Sequence, residues 1–229
     1  MTEKRVRLSL GAATDIIMSG LTAYERRHTK KEGSYVETGG ELWGYVRRLP
    51  SGERLYYVEQ ATVSVFARRD HESIAHSPDE TAIKRKVMQR LRPELTLLGD
   101  FHTHPYDDLP DVKSAAGWGY SPGDVEYWKG DDQVWEDTGN RPLFLILALC
   151  PLKRQIREAQ QENFYVNILR FEIGHFRLWL HGVAGHVTNG QRRLSTTTHS
   201  TVHMDPLPLN LRNQPGSRLE ERPPVSPKA

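Results

Sequence analysis

The chain reads as an α/β (or α+β) sandwich, a central mixed β-sheet flanked by helices. Two observations predict it. Strand-like and helix-like patterns alternate in the order strand, helix, hairpin, helix, strand, helix, strand, hairpin. In addition, residues 142–150 form a continuous apolar run, as expected of a strand covered on both faces. At 229 residues there is enough chain for one domain with tails.

Each element has a local reason. Val6, Leu8 and Leu10 alternate, which predicts a short strand. Over residues 11–28, Ile17, Leu21 and Tyr24 recur at helical spacing, so an amphipathic helix is expected, ending in a charged loop at 29–34. Residues 35–48 and 54–66 are rich in aromatic and β-branched side chains, and Pro50, Ser51 and Gly52 supply a turn, so they form a hairpin. A polar loop at 67–78 precedes a helix at 79–91. Residues 95–104 read as a strand ending in His-Thr-His-Pro, followed by a loop of 15 residues, 106–120. Ser121-Pro-Gly-Asp124 is a helix start, with Ser as N-cap and Pro in the first turn. Residues 163–183 alternate around Gly174 and predict a closing hairpin. Beyond Gly185 the composition changes, and six of the 14 prolines follow residue 204. The expected division is a domain at 1–185 and a polar, Pro-rich, disordered tail at 186–229.

Composition excludes several function classes. The 31 basic and 29 acidic residues nearly cancel, which argues against a dedicated nucleic-acid binder, and Arg192-Arg193 is too small a cluster to change that. A single cysteine, Cys150, excludes an intramolecular disulfide and any thiolate-rich zinc site. A metal here must use His and carboxylate ligands. Cysteine scarcity and an N-terminus without an apolar leader fit a cytoplasmic location. The longest apolar run is eight residues, so no membrane partner is expected.

The chemistry-bearing residues follow from spacing. His102 and His104 lie two apart at a strand end, so both imidazoles point to one face. Asp124 lies in the first turn of the next helix, where a carboxylate is electrostatically favoured. Two His and one Asp leave a fourth position open, the pattern of a catalytic zinc site. Taken singly, H-x-H pairs are common and Ser-x-x-Asp is also a capping box. A third piece lies upstream, in Val36-Glu-Thr-Gly-Gly-Glu-Leu-Trp-Gly44, whose glycines allow close backbone approach.

Together, Glu37-Thr-Gly-Gly-x-Leu-x-Gly44, His102-Thr-His-Pro105 and Ser121-x-x-Asp124 resemble, in order, the signature of the JAMM (MPN/JAB) zinc metallopeptidases, and most nearly their stand-alone prokaryotic members. The resemblance covers roughly residues 5–150. It implies an MPN/JAB-type, cytidine-deaminase-like architecture, with one Zn2+ per chain on His102, His104 and Asp124. It further implies that Glu37 holds the water and shuttles its proton, and that Ser121 hydrogen-bonds the oxyanion. The reaction implied is hydrolysis of a peptide or isopeptide bond after the C-terminal Gly of a ubiquitin-like or sulfur-carrier protein, whose tail would add as a strand at the sheet edge.

Alternatives stay open. Glu41 would share a face with Glu37 and is its rival; otherwise it is a solvated or gate residue. The family has about seven residues between the HxHP proline and the Ser, against 15 here, so Asp107 and Asp108 are substitute ligands if Asp124 does not reach. The extra segment, with Asp107, Asp108, Asp111 and Trp118, is either a substrate-gripping loop or a surface insertion. His71 and His76 read as surface histidines. Trp43, Trp128 and Trp135 read as packing or cleft lining. His175, His181, His186, His199 and His203 show no ligand spacing. A non-catalytic MPN scaffold usually loses metal residues, and all are kept here. A RadC-like DNA-repair relative would carry an added DNA-binding region, which is not visible. Metallo-β-lactamase, cytidine-deaminase and HExxH signatures are absent.

Overall fold

The computed structural model describes residues 3–25, 37–65, 68–69, 74–75, 78–153, 161–196 and 202–209. Their elements, in chain order, are β1 (Lys4–Leu8), α1 (Leu10–Glu25), β2 (Gly39–Arg48), β3 (Arg54–Val63), β4 (Arg68–Arg69), β5 (Ile74–Ala75), α2 (Pro78–Leu91) and β6 (Thr96–Pro105). There follow α3 (Leu109–Ser114), α4 (Pro122–Gly130), α5 (Asp132–Asp137), β7 (Leu143–Pro151), β8 (Glu162–Tyr165), β9 (Ile168–Ile173), β10 (Phe176–Thr188), β11 (Gln191–Leu194) and β12 (Val202–Met204).

Ten strands form one mixed sheet, ordered β12-β1-β3-β2-β6-β7-β10-β9-β8, with β11 on β10. The sheet curls towards closure. The Met204 N–H donates to the Val166 carbonyl in the β8–β9 turn, and a Cβ on Gly182 of β10 would lie 2.5 Å from Met204 Sδ. This corrects the expected architecture. Instead of an MPN/JAB-type, cytidine-deaminase-like sheet flanked by helices, the chain builds a nearly closed, barrel-like sheet with few helices, three of them only six to nine residues long.

The reason lies after residue 185. The expected boundary falls inside β10, and part of the expected tail is sheet. β11 pairs antiparallel with β10 from Gly185 to Thr188, and β12 runs parallel to β1. Val202 and Met204 are buried and Leu207 follows them inward. A three-residue strand among polar neighbours carries too short an alternation to register as a pattern. Residues 210–229 lie outside the described set.

β7 anchors the packing. All of residues 143–150 are fully buried, as their unbroken apolar run predicts. Leu143, Leu145, Leu147 and Leu149 enter the inner core with Ile16 of α1, Phe101 and Leu180. Phe144 and Ile146 pack outward on Trp43, Trp128 and Trp135, and Ala148 and Cys150 on Val112 and Trp179. At roughly 1.5–3 kcal/mol per buried large apolar side chain, this strand is a principal contributor to stability.

The hairpin at residues 35–66 forms as β2 and β3, and its turn uses Gly52 at φ +88°. Between β2 and β6 the register shifts at Leu42/Trp43, leaving Leu98 as a bulge beside Gly99. Gly99 has φ +148°, and a Cβ there would lie 1.8 Å from the Leu143 carbonyl oxygen. The bulge resets the alternation, so Leu98 and Phe101 both reach the inner core. Asp100, His102 and His104 thereby share the opposite face. Among the described residues no helix is long and apolar enough to cross a membrane.

Candidate metal centre

β6 delivers His102 and His104 to one face, and α4 brings Asp124 to them. Ser121 is the N-cap of α4, where its Oγ accepts from the Asp124 N–H at 3.1 Å while the Asp124 carboxylate accepts from the Ser121 N–H. This reciprocal box aims the carboxylate. Asp124 Oδ1 lies 2.9 Å from His102 Nε2, Oδ2 lies 3.5 Å from His104 Nε2, and the two Nε2 atoms are 3.1 Å apart. All three residues' ligand atoms fall within 4.8 Å of one another, so the group could hold a metal ion. Asp107 and Asp108 do not join it; Asp108 instead caps α3, accepting from the Asp111 N–H at 3.0 Å.

Glu37 comes from the chain leading into β2. The Thr38 N–H donates to Thr103 Oγ1 at 2.9 Å and its carbonyl accepts from the Thr103 N–H at 2.8 Å, fastening this stretch to β6. Glu37 is buried, with Oε1 3.8 Å from His104 Nε2. Gly40, next in the motif, is needed because a Cβ there would lie 1.8 Å from the Thr62 carbonyl oxygen. Glu41 lies on the same face but outside the group, and is buried, not solvated. It accepts from Thr62 Oγ1, Thr81 Oγ1 and Lys84 Nζ at 2.9, 3.0 and 2.6 Å.

The electrostatics suit cation binding. Burial would raise the Asp124 carboxyl, but hydrogen bonds and charge from His102 and His104 outweigh it and hold Asp124 well below the usual carboxylate range. Burial lowers His102, partly opposed by Asp124, so its ring is available as a neutral donor. For His104 burial acts downward, yet Asp124, Glu37 and the Gly119 carbonyl together raise it.

The donor set fits zinc. Two imidazoles and a carboxylate are ordinary zinc ligands, and bonds of about 2.0–2.1 Å in a tetrahedron require ligand–ligand edges of about 3.3 Å, close to the separations found. Glu37 is not in the ligand group but lies next to it, through its 3.8 Å approach to His104.

The 106–120 segment, expected as an uninterrupted loop, contains α3 and packs down. Val112 is fully buried, and Trp118 meets Phe164 edge-on at 5.3 Å. Its Gly119 backbone lies beside the His104 ring, outside the metal group itself.

Several neighbours were not legible in the sequence. His102, Ile146 and His181 lie in one row across β6, β7 and β10. His181 is buried, bonded through Nε2 to the Asn167 amide at 2.8 Å and covered by Tyr120. Burial, then the His104 charge, pushes it down to about 4. Burial, then the charges of Glu37 and Asp124, pushes the Tyr106 phenol up to about 12. Only the register across three strands reveals His181, and no sequence spacing encodes that.

Of the tryptophans, Trp43 and Trp135 are packing residues whose indoles donate to Thr62 Oγ1 and the Trp128 carbonyl, while Trp128 tilts against His102 at 5.9 Å. His175 lies against Phe176, and His186 and His203 lie on β10 and β12, none of them in the metal group. His71, His76 and His199 lie outside the described residues. β2 and β6 are paired on both sides, so neither offers a free edge for an added substrate strand along its paired length.

No protein-family model matches the chain, and no curated protein matches it. Among solved structures, the chain is similar to the solution structure of a protein from Desulfitobacterium hafniense, at 13% identity and a TM-score of 0.41 over 91% of this chain and 99% of that one. It is also similar to the STIL N-terminal domain of Trichoplax adhaerens, at 6% identity and a TM-score of 0.30 over 79% and 41%. Likeness at this level carries nothing about activity.

Proposed function

We propose that the protein is a zinc-dependent peptidase with JAMM-type chemistry, cleaving a peptide or isopeptide bond after the C-terminal Gly of a ubiquitin-like or sulfur-carrier protein. The observation that supports the reading is the convergence of three separate sequence motifs. His102, His104 and Asp124 come within 4.8 Å of one another, with Glu37 Oε1 3.8 Å from His104 Nε2. The proposal rests on this constellation and not on the architecture of the sheet.

Bound zinc would act as a Lewis acid, polarising a carbonyl and lowering the pKa of water. The chain's own groups do the rest. Glu37 accepts a proton from the attacking water at its carboxylate and returns it to the leaving amine. Ser121 uses an Oγ lone pair to cap α4 and keeps its hydroxyl proton to donate to the developing oxyanion, a contribution on the order of 3 kcal/mol. Trp128 and the 106–120 segment exclude bulk water around the imidazoles and hold their orientation.

The test is zinc content by elemental analysis of the wild type, His104→Ala and Asp124→Ala, followed by cleavage of ubiquitin-like fusions with Glu37→Gln as the inactive control. One zinc per chain, lost in both ligand variants, with Glu37-dependent cleavage, supports the reading. Zinc retained without Asp124, or cleavage that survives Glu37→Gln, sinks it.

A further inference from the structure

On the same face of β6 as the histidines, but towards the start of the strand, lies a second acidic site. Asp100 pairs directly opposite Glu41 of β2. Two carboxylates in facing positions repel unless each is compensated. Glu41 is compensated by Lys84 and two threonine hydroxyls. Asp100 is not. It is only 3% exposed, and neither of its oxygens has a hydrogen-bond partner. The Trp128 indole N–H, the one donor turned towards it among the described residues, is itself left without a bond. Buried polar atoms are nearly always given partners, and a ligand carrying N–H groups would supply the ones these two oxygens lack.

Asp100 forms part of the wall of a cavity of about 50 Å³ with Glu41, Thr81, Asp131, Gln133 and Asp137. Of the other acids that line it, Glu41 and Asp137 already have cationic partners. Asp137 is paired with Arg85 and accepts from Gln133 Nε2 at 3.0 Å. Asp131 caps α5, accepting from the Val134 N–H at 3.1 Å, and makes no ion pair among the described residues. The lining therefore holds two carboxyl groups without an ion-pair partner among the described residues, the buried Asp100 and the partly buried Asp131. A bare divalent metal is a poor match, because no three ligand atoms here converge within 4.8 Å as they do at the His-His-Asp group. A cavity of about 50 Å³ also exceeds the roughly 15 Å³ that one water needs. A planar, multi-donor cation fits both the spread of the acceptors and the apolar walls of Leu97 and Val134.

The geometry points to a binding site for a guanidinium or ammonium head group in the cavity between α2 and α5, with Asp100 as its principal acceptor and Asp131 as the second. The head group belongs either to a basic side chain of a bound polypeptide or to a free small cation.

Isothermal titration of the zinc-loaded full chain, so that the metal group is already filled, tests this with N-acetyl-arginine amide, its neutral citrulline counterpart and a capped Ala-Arg-Ala peptide. Saturable binding of the arginine compound and not of citrulline is expected, weakened about tenfold or more in Asp100→Asn, as loss of a charge-assisted pair requires. Asp100→Asn should melt no lower than wild type, since neither Asp100 oxygen has a hydrogen bond to lose. Tighter binding of the peptide than of the amide assigns the site to a polypeptide side chain, and equal binding assigns it to a small cation. Should Asp100→Asn not fold, Asp131→Asn is titrated instead and must weaken binding. Equal affinity in the variant and wild type, equal binding of citrulline, no binding to wild type, or a lower melting temperature in a folded Asp100→Asn overturns the proposal.

Discussion

The backbone of Gly119 lies beside the His104 ring and helps to raise its pKa. The segment between the two ligand-bearing elements is thus part of the support of the candidate metal site. Such outer-shell partners fix the orientation of an imidazole and typically contribute 10–100-fold to metal affinity. Trp118, one residue away, holds the segment down against Phe164. Trp118→Ala is expected to weaken zinc binding about tenfold while leaving the stoichiometry unchanged, as read by competition with a chromophoric chelator. Unchanged affinity would reduce the segment to a surface insertion.

Chelation should destabilise the protein. Zinc that binds the folded chain alone, at about 100-fold above its dissociation constant, adds about 3 kcal/mol, or roughly 6–12 °C for a domain of this size. EDTA should lower the melting temperature of wild type by that amount and leave Asp124→Ala unmoved. Equal melting of wild type with and without EDTA would contradict a metal at this group.

His181 predicts a pH dependence of the metal-free protein. Its folded value is about 4 against an ordinary 6.5. Between those values the unfolded chain binds more protons, so stability is full above pH 6.5 and falls as the pH drops towards 4, by about 3 kcal/mol. Urea titrations over that range should show the slope in wild type and a flatter one in His181→Gln. Parallel slopes would mean that other groups carry it.

Ser121 has two separable duties. Loss of the cap in Ser121→Ala should cost about 1 kcal/mol of stability. Loss of an oxyanion donor should lower kcat by about 10²–10³ with zinc content intact. A stability loss without a kcat loss would confine Ser121 to capping.

The bulge at Gly99 should tolerate little. A Cβ 1.8 Å from the Leu143 carbonyl forces β6 and β7 apart, so Gly99→Ala is expected to cost more than about 3 kcal/mol. A fully folded, zinc-binding Gly99→Ala would show that the bulge does not set the face of the histidines.

By itself the sequence determined what is local. Residues 143–150 are apolar without a break, so a strand buried on both faces follows from burial alone. The H-x-H spacing and the Ser121–Asp124 box follow from strand and helix periodicity, which no partner is needed to establish. Tertiary structure decided the rest. Whether Asp124 or Asp108 meets the histidines depends on how α3 packs, and the role of Glu41 depends on Lys84 arriving from α2. The sheet's near closure depends on Val202 and Met204, two residues whose burial is a property of β1 and β10 and not of their own pattern. Such contacts join residues nearly 200 positions apart, and a chain carries no periodic trace of a partner it meets only once folded.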